Sequence, residues 1–290
     1  MYSPAFDYHR ASSLADAHRL LAAHPGAKLL AGGHSLIPLL KLRLATPAAV
    51  IDIGRIDALR GITESGGHIR IGALTTHAEV ASSSLLQSAA AALTDAAGLV
   101  GDPAVRNRGT IGGNIAHADP ASDVPTALVA LGADIVAARD GGERTIAAED
   151  FFTGIMTTAL ADNEIISAVL VPKGSAGRAA AYVKFPHPAS RYAVVGAAAV
   201  ITRAGGRCTA ARVALGGLVS HARRSAAVEN ALIGTPGDDA AVTAAAAAVS
   251  ADLGDDATGD IYASAEYRKA MAPVFVKRAI AAALARTGTD

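Results

Sequence analysis

The run Asn107-Arg108-Gly109-Thr110-Ile111-Gly112-Gly113-Asn114 constrains this chain more than any other stretch. Three glycines among its eight residues, set between short polar side chains, describe a backbone that must come close to something. Glycine lacks a Cβ and permits positive φ, so successive N–H groups can turn into one concavity and hold an anion. The chain continues through Ile115-Ala116-His117-Ala118-Asp119-Pro120-Ala121-Ser122-Asp123, where Asp119 and Asp123 are short acceptors suited to hydroxyls rather than to phosphate. A donating loop followed by accepting side chains fits a nucleotide, with its pyrophosphate and its ribose. The plainer alternative is a glycine-rich turn with Asp119 or Asp123 as a helix N-cap.

A second stretch, Lys28-Leu29-Leu30-Ala31-Gly32-Gly33-His34-Ser35-Leu36, is a short apolar run ending in a glycine pair. Two anion nests, each leaving a predicted strand, could grip one diphosphate from both sides. The surroundings bound the partners. Twenty-six basic and 26 acidic residues cancel, which argues against nucleic acid or an anionic membrane as the main partner. Cys208 is the one cysteine, whereas an iron–sulfur cluster takes about four thiolates, so the chain cannot hold one alone. No basic and apolar leader opens the sequence, and the longest apolar run, near Ala193 to Ile201, is too short for a membrane span. The expectation is a soluble, cytoplasmic protein.

Ser12-Ser13 before Leu14, Ala17, Leu20 and Leu21 predicts a capped amphipathic helix, with Asp16 as a weak capping box and Pro25-Gly26 as its end. Lys28 to Ala31 then predicts a buried strand, Leu36 to Leu42 a helical segment broken by Pro38, and Val50 to Ile53 a second strand. This αββ-like opening predicts a subdomain over residues 1–60. His68 to Ala73 alternates as a strand, Thr75-Thr76 caps a helix, and Leu85 to Val100 is helical up to Gly101-Asp102-Pro103. Thr126 to Leu131 predicts a short helix, and Ala133 to Ala138 and Glu164 to Val171 further strands, within a second subdomain over residues 61–174. No Gly-x-Gly-x-x-Gly fingerprint follows a strand, and the mixed order predicts an α+β domain rather than a doubly wound sheet. Lys173 to Gly177 reads as a linker. A third unit over 178–290 carries strands at Ala179–Phe185, Val194–Thr202 and Thr209–Leu215, with Ala204 to Arg207 as the last turn. Helices follow at His221–Ile233, Ala240–Ser250 and Ser264–Arg286, with Tyr267, Met271, Val274, Phe275 and Ala279 of the last expected in the core. His117 and His187 lack a second ligand at helical spacing, and no serine sits in a Gly-x-Ser-x-Gly elbow, so metal and triad chemistry are set aside.

Ala31-Gly32-Gly33-His34-Ser35, the loop Thr110 to Asn114 and Ser190-Arg191-Tyr192 together resemble the FAD-binding medium subunit of the molybdenum hydroxylases, closest in wording to the carbon monoxide dehydrogenase-like branch. The resemblance runs from Phe6-Asp7-Tyr8 to the last helix. It implies a two-subdomain, PCMH-type FAD-binding domain followed by a small α+β domain with a three-stranded antiparallel sheet and helices. It implies that Lys28, Leu29, Leu30, Ala31, Gly32, Gly33, His34, Ser35 and Leu36 wrap the FAD diphosphate, with Thr110, Gly112, Gly113 and Asn114 opposing them. Asp123 would bond sugar or ribityl hydroxyls, and Ala118, Asp119 and Ile166 would join the cofactor site. Lys184 would approach the flavin near its N1–C2=O edge, and Tyr192 would shield one ring face; a solvent-facing edge lysine and an ordinary core tyrosine are the alternatives. The implied function is electron exit: a large subunit carries the molybdenum cofactor, a small one the 2Fe–2S clusters, and the flavin here passes electrons to an external acceptor. A dimer of heterotrimers is expected. The rival readings are a free-standing FAD oxidase, in which His34 could bond covalently to the flavin, and a scaffold without cofactor.

Overall fold

The computed structural model describes residues 2–287, so the predicted outer limits at residues 1 and 290 lie outside the described residues. The opening is parallel. Strand β1 (Asp7–Arg10), helix α1 (Leu14–Ala23), strand β2 (Lys28–Leu30), helix α2 (Leu36–Lys41) and strand β3 (Ala49–Asp52) follow in turn. β3 lies between β1 and β2 and runs parallel to both, so the αββ expectation lacked its first strand. Most of β1 is exposed and its sequence, DYHR, does not alternate, which removes the period-two signal. Ser13 caps α1 by accepting from the Asp16 N–H at 3.1 Å. The Asp16 carboxylate reaches back to the Ser12 N–H at 2.9 Å, one residue before the cap. Pro38 is the third residue of α2 and does not break it, because N–H groups in a first turn have no helical acceptor to lose.

Past a 3-10 turn at Asp57–Leu59 come β4 (Ile62–Ser65), β5 (His68–Gly72), α3 (His77–Ser82), α4 (Ser84–Ala89), α5 (Ala91–Leu99), α6 (Pro103–Arg106), α7 (Ile111–His117) and α8 (Asp123–Leu131). Then follow β6 (Asp134–Arg139), β7 (Gly142–Ala147), α9 (Ala148–Phe151), the hairpin β8 (Phe152–Gly154) and β9 (Thr157–Thr158), and β10 (Ile165–Pro172). An antiparallel sheet of order β4-β5-β10-β6-β7 carries this part. Its outer strands β4 and β7 were missed because they are largely exposed edges, with little apolar pattern to read. The helix expected over Leu85–Val100 is two helices, separated where Ala90 leaves helical geometry at φ −148°. The buried face of the sheet, with Ile69, Ile71, Ile135 and Val169, packs against Leu93, Ile111, Ile115 and Leu128 from the helices.

The last part pairs β11 (Arg178–Pro186), β12 (Ala193–Ala204), β13 (Arg207–Gly216) and β14 (Arg223–Arg224) in that order, all antiparallel. The expected three strands therefore gain a fourth of two residues, within the stretch read as the start of a helix. Helix α10 (Ala226–Leu232) is correspondingly shorter than expected. The helix expected over Ala240–Ser250 divides into α11 (Asp239–Ala247) and α12 (Val249–Leu253). Helix α13 (Ala265–Leu284) buries Phe275 and Ala279 against the sheet, but Tyr267 and Val274 are exposed, so those two are not core.

Helix α8 joins the two halves. All nine of its residues are buried. Arg212 of β13 donates to the carbonyls of Val129 and Ala130, both at 3.0 Å, and Arg178 of β11 donates to Leu131 O at 3.2 Å. Two guanidinium groups thus donate to the last carbonyls of the helix, of which Val129 O also accepts from the C-cap Gly132 N–H at 3.2 Å.

Candidate functional site

Gly32 and Gly33 turn the chain between β2 and α2, each for its own reason. A Cβ on Gly32 would lie 2.0 Å from the carbonyl oxygen of Arg108, so the two glycine segments press backbone to backbone here. Gly33 has φ +79°, which a side chain would strain. The N–H groups of Gly33, His34 and Ser35 make no hydrogen bond to the chain among the described residues. They border a cleft of about 690 Å³. Three neighbouring free donors in a glycine turn leave a row of N–H groups open to the cleft.

The second segment is not a nest. Thr110 is the N-cap of α7, its hydroxyl accepting from Gly113 N–H at 3.2 Å. The Ile111 N–H donates to Thr75 O at 2.9 Å, Gly112 to Ala73 O at 2.8 Å and Asn114 to Thr110 O at 3.0 Å. Those donors are already engaged, and the segment leaves a helix-rich stretch rather than a strand. What its glycines provide is closeness: a Cβ on Gly112 would meet Ala73 at 2.6 Å.

Of the predicted residues, the run from Lys28 to Leu36 lines the cleft except for Leu30, and so do Thr110, Gly112, Gly113, Asn114, Asp123, Ile166 and Tyr192. Leu30, Ala118, Asp119 and Lys184 stand behind the wall. Ala118 closes α7 at φ +50°, and the Asp119 carboxylate accepts from Ala121 N–H at 2.9 Å, holding the turn toward α8. Asp123 is not the N-cap of α8, a position that Ser122 takes; it is the first helical residue. Its Oδ1 accepts from Tyr182 Oη at 2.5 Å and its Oδ2 from Lys184 Nζ at 2.8 Å. Burial pushes this carboxyl up from its ordinary value, with Lys184 and Tyr182 opposing. Lys184 is 2% exposed, so it is not a solvent-facing edge lysine despite its place on the outer strand. Tyr192 is 43% exposed and is a lip of the cleft rather than a core tyrosine.

The sequence reading missed His77, Val100, Gly101, Val105, Met156 and Glu164, which also line the cleft. His77 directly follows the Thr76 cap, the one signal that could have drawn attention to it. It is 2% exposed, its Nδ1 is buried without a partner, and its N–H donates to Gly109 O at 3.0 Å. Burial, then Arg106 and His34, lower its pKa to about 4, so the imidazole is neutral near pH 7. Glu164 accepts from Arg144 Nε at 2.6 Å and Nη2 at 2.8 Å, and this guanidinium holds it down to about 2. Met156, at the tip between β8 and β9, has φ +53° and is 48% exposed.

A cleft of this volume suits a large organic cofactor. One wall offers the free donors of Gly33 to Ser35, and Leu29, Ile53, Leu160, Ile165 and Ile166 supply apolar surface for a flat ring. Residues 4–174 match the family model described as the FAD binding domain in molybdopterin dehydrogenase, and residues 180–283 match the CO dehydrogenase flavoprotein C-terminal domain. The chain belongs to the FAD-binding subunits of the molybdenum hydroxylases. Among the relatives of this FAD-binding subunit, the carbon monoxide dehydrogenase medium chain of Hydrogenophaga pseudoflava is 41% identical over 289 residues, covering 99% of each chain. The 6-hydroxypseudooxynicotine dehydrogenase complex subunit alpha of Paenarthrobacter nicotinovorans is 38% identical, over 99% of this chain and 97% of that one. In the solved structure of the Hydrogenophaga pseudoflava carbon monoxide dehydrogenase lacking the Mo-pyranopterin moiety, one chain matches with a TM-score of 0.95 at 42% identity, over 99% of this chain and 100% of that one. The subunit is thus an oxidoreductase component, and none of its described helices is long and apolar enough to cross a membrane.

Proposed function

We propose that this chain is the electron exit of a carbon monoxide dehydrogenase-like complex, holding FAD in the cleft between the glycine segments and Tyr192. The observation that carries the reading is the row of three free N–H groups at Gly33, His34 and Ser35, at the end of a strand and facing a cleft of cofactor size. These donors would hold the diphosphate. The apolar wall that includes Ile166 would take the adenine, and Tyr192 would cover one face of the flavin. Asp123 would reach the sugar or ribityl hydroxyls through the lone pairs left by Tyr182 and Lys184, with Ala118 and Asp119 supporting the turn before it. The flavin, when bound, supplies the two-electron redox chemistry. The chain's own work is to bind it, orient it and limit its contact with water.

A large subunit with the molybdenum cofactor and a small iron–sulfur subunit complete the unit, in a dimer of heterotrimers that reduces an external acceptor in the cytoplasm. Relatives named for carbon monoxide and for 6-hydroxypseudooxynicotine share this subunit, which supports a substrate site on another chain. The boundary between the FAD-binding part and the last domain is placed in 174–178, and that between the first two subdomains near residue 60. The FAD is dissociable in this reading, with His34 exposed at the cleft and not bonded to it.

Gly33→Val tests the assignment, since a β-branched residue at positive φ must distort the cradle. In the purified complex the variant should bind FAD at least roughly tenfold more weakly. Substrate should still reduce the iron–sulfur centres, while reduction of the acceptor is lost. Full FAD occupancy with unchanged affinity would remove the diphosphate from this loop.

A further inference from the structure

Lys184 does not line the cleft, although a cation at its position was expected to meet the flavin. Its ammonium has three N–H groups, and three acceptors surround it: Leu99 O at 2.9 Å, Asp123 Oδ2 at 2.8 Å and Arg191 O at 2.6 Å. Leu99 is the last residue of α5, whose carbonyl end favours a cation, and Asp123 opens α8. The third acceptor belongs to the loop that carries Tyr192. Turning the ammonium toward a ligand would cost one of these bonds on a side chain that is almost wholly buried.

Among the described residues the loop's other hydrogen bonds are within itself, and the His187 ring meets Tyr262 edge-on at 4.5 Å. The His187 N–H donates to Tyr192 O at 2.7 Å and the Arg191 N–H to His187 O at 2.8 Å. His187 Nδ1 accepts from the N–H groups of Ala189 and Ser190, both at 3.2 Å. Arg191 sits at φ +62°, an uncommon conformation for a residue with a side chain, which persists where surroundings enforce it. Beyond the loop, the Ala193 N–H donates to Ala121 O at 3.0 Å. Between His187 and Tyr192, the Lys184 bond to the Arg191 carbonyl is therefore the hydrogen bond that, among the described residues, ties the loop to the buried Asp123 pair, one residue before the lip.

We propose that Lys184 is a positioning residue, whose ammonium anchors the 187–192 loop through the Arg191 carbonyl and so sets Tyr192 over one face of the flavin. The inference rests on the cleft being the flavin site, and it replaces direct contact between Lys184 and the ring. Lysine suits the task because three tetrahedral donors meet three separate acceptors, which a planar guanidinium would not reproduce.

Two measurements decide it. In the FAD-free chain, Lys184→Met should raise amide hydrogen exchange at His187, Arg191 and Ala193 by roughly tenfold or more, with Ala197 to Val200 in β12 unchanged. Should that variant fail to fold because Asp123 is left unpaired, Lys184→Met with Asp123→Asn removes both charges, and the same pattern is expected. Loop exchange that stays unchanged, or that rises only together with β12, overturns the proposal. In the FAD-loaded complex, collisional quenching of flavin fluorescence by iodide should rise in Lys184→Met and in Tyr192→Ala. Adding Lys184→Met to Tyr192→Ala should change it no further, because the lysine acts through the tyrosine. Additive increases would mean that Lys184 meets the flavin itself, and would overturn the proposal. A wild-type complex without flavin would refute the cofactor reading instead, and the exchange measurement would still decide the anchor.

Discussion

His77 shows what burial at the wall of the cleft does to a single side chain. The imidazole is buried beside Gly109, and Arg106 and His34 face it with positive or protonatable groups, so charging it would place a cation among cations. Its pKa falls from 6.5 to about 4. The unfolded chain therefore binds this proton first as pH drops, and the folded state loses stability between about pH 6.5 and 4. The full loss is about 3 kcal/mol on this group. Urea unfolding of the FAD-free chain at pH 7 and pH 4.5 should show that loss in the wild type and a markedly smaller one in His77→Phe. Equal acid sensitivity in both would place the titration elsewhere. Only the Thr76 cap before it points toward His77, and a histidine after a capping threonine has no ligand spacing to read. Gly32 and Gly33 were legible, since a glycine pair at a strand end announces a backbone need. The sequence did not reveal that Gly112 and Gly113 meet that need by packing. Whether an N–H is free depends on which distant carbonyl reaches it, here Ala73 for Gly112.

Helix α8 is the element on which the two halves meet. At its start, Asp123 receives Tyr182 and Lys184 from β11; at its end, Arg212 and Arg178 receive the last carbonyls. Acid at the N-terminus and bases at the C-terminus both follow the helix dipole. Arg212→Met should leave the Ala130 carbonyl without its side-chain donor and Val129 with the Gly132 N–H alone, and should also lose the Glu149 contact at 3.0 Å. The expected cost is roughly 1.5–3 kcal/mol, read as a lower denaturation midpoint. A midpoint within error of wild type would show that water replaces the guanidinium freely. The apolar core of α8 was legible as Thr126 to Leu131. Its charged ends were not, because the partners lie on strands far along the chain. Strands rich in buried apolar residues, such as β5, β10 and β12, stand out in the sequence, whereas exposed β1, β4 and β7 do not. Their pairing comes from neighbours already in the sheet rather than from their own side chains.

At the scale of the whole molecule, two open sheets and a small parallel one surround a cleft that no single element could form. Its cradle comes from the first part, its helix walls from the second, and its lip from the last. The cofactor class is legible in local motifs, because the glycine turn and Tyr192 are each read from a few consecutive residues. The ties between parts, Gly32 on Arg108 and Lys184 on three acceptors, arise only when distant segments meet. The central claim is that this cleft holds one dissociable FAD within a complex whose other redox centres are on partner chains. Acid precipitation of the complex isolated from its source, with quantification of this chain and of released flavin, tests it most directly. One FAD per copy of this chain in the supernatant, above a colourless pellet, is the predicted result. A complex without flavin, or yellow colour that stays with this chain in the pellet, would contradict it.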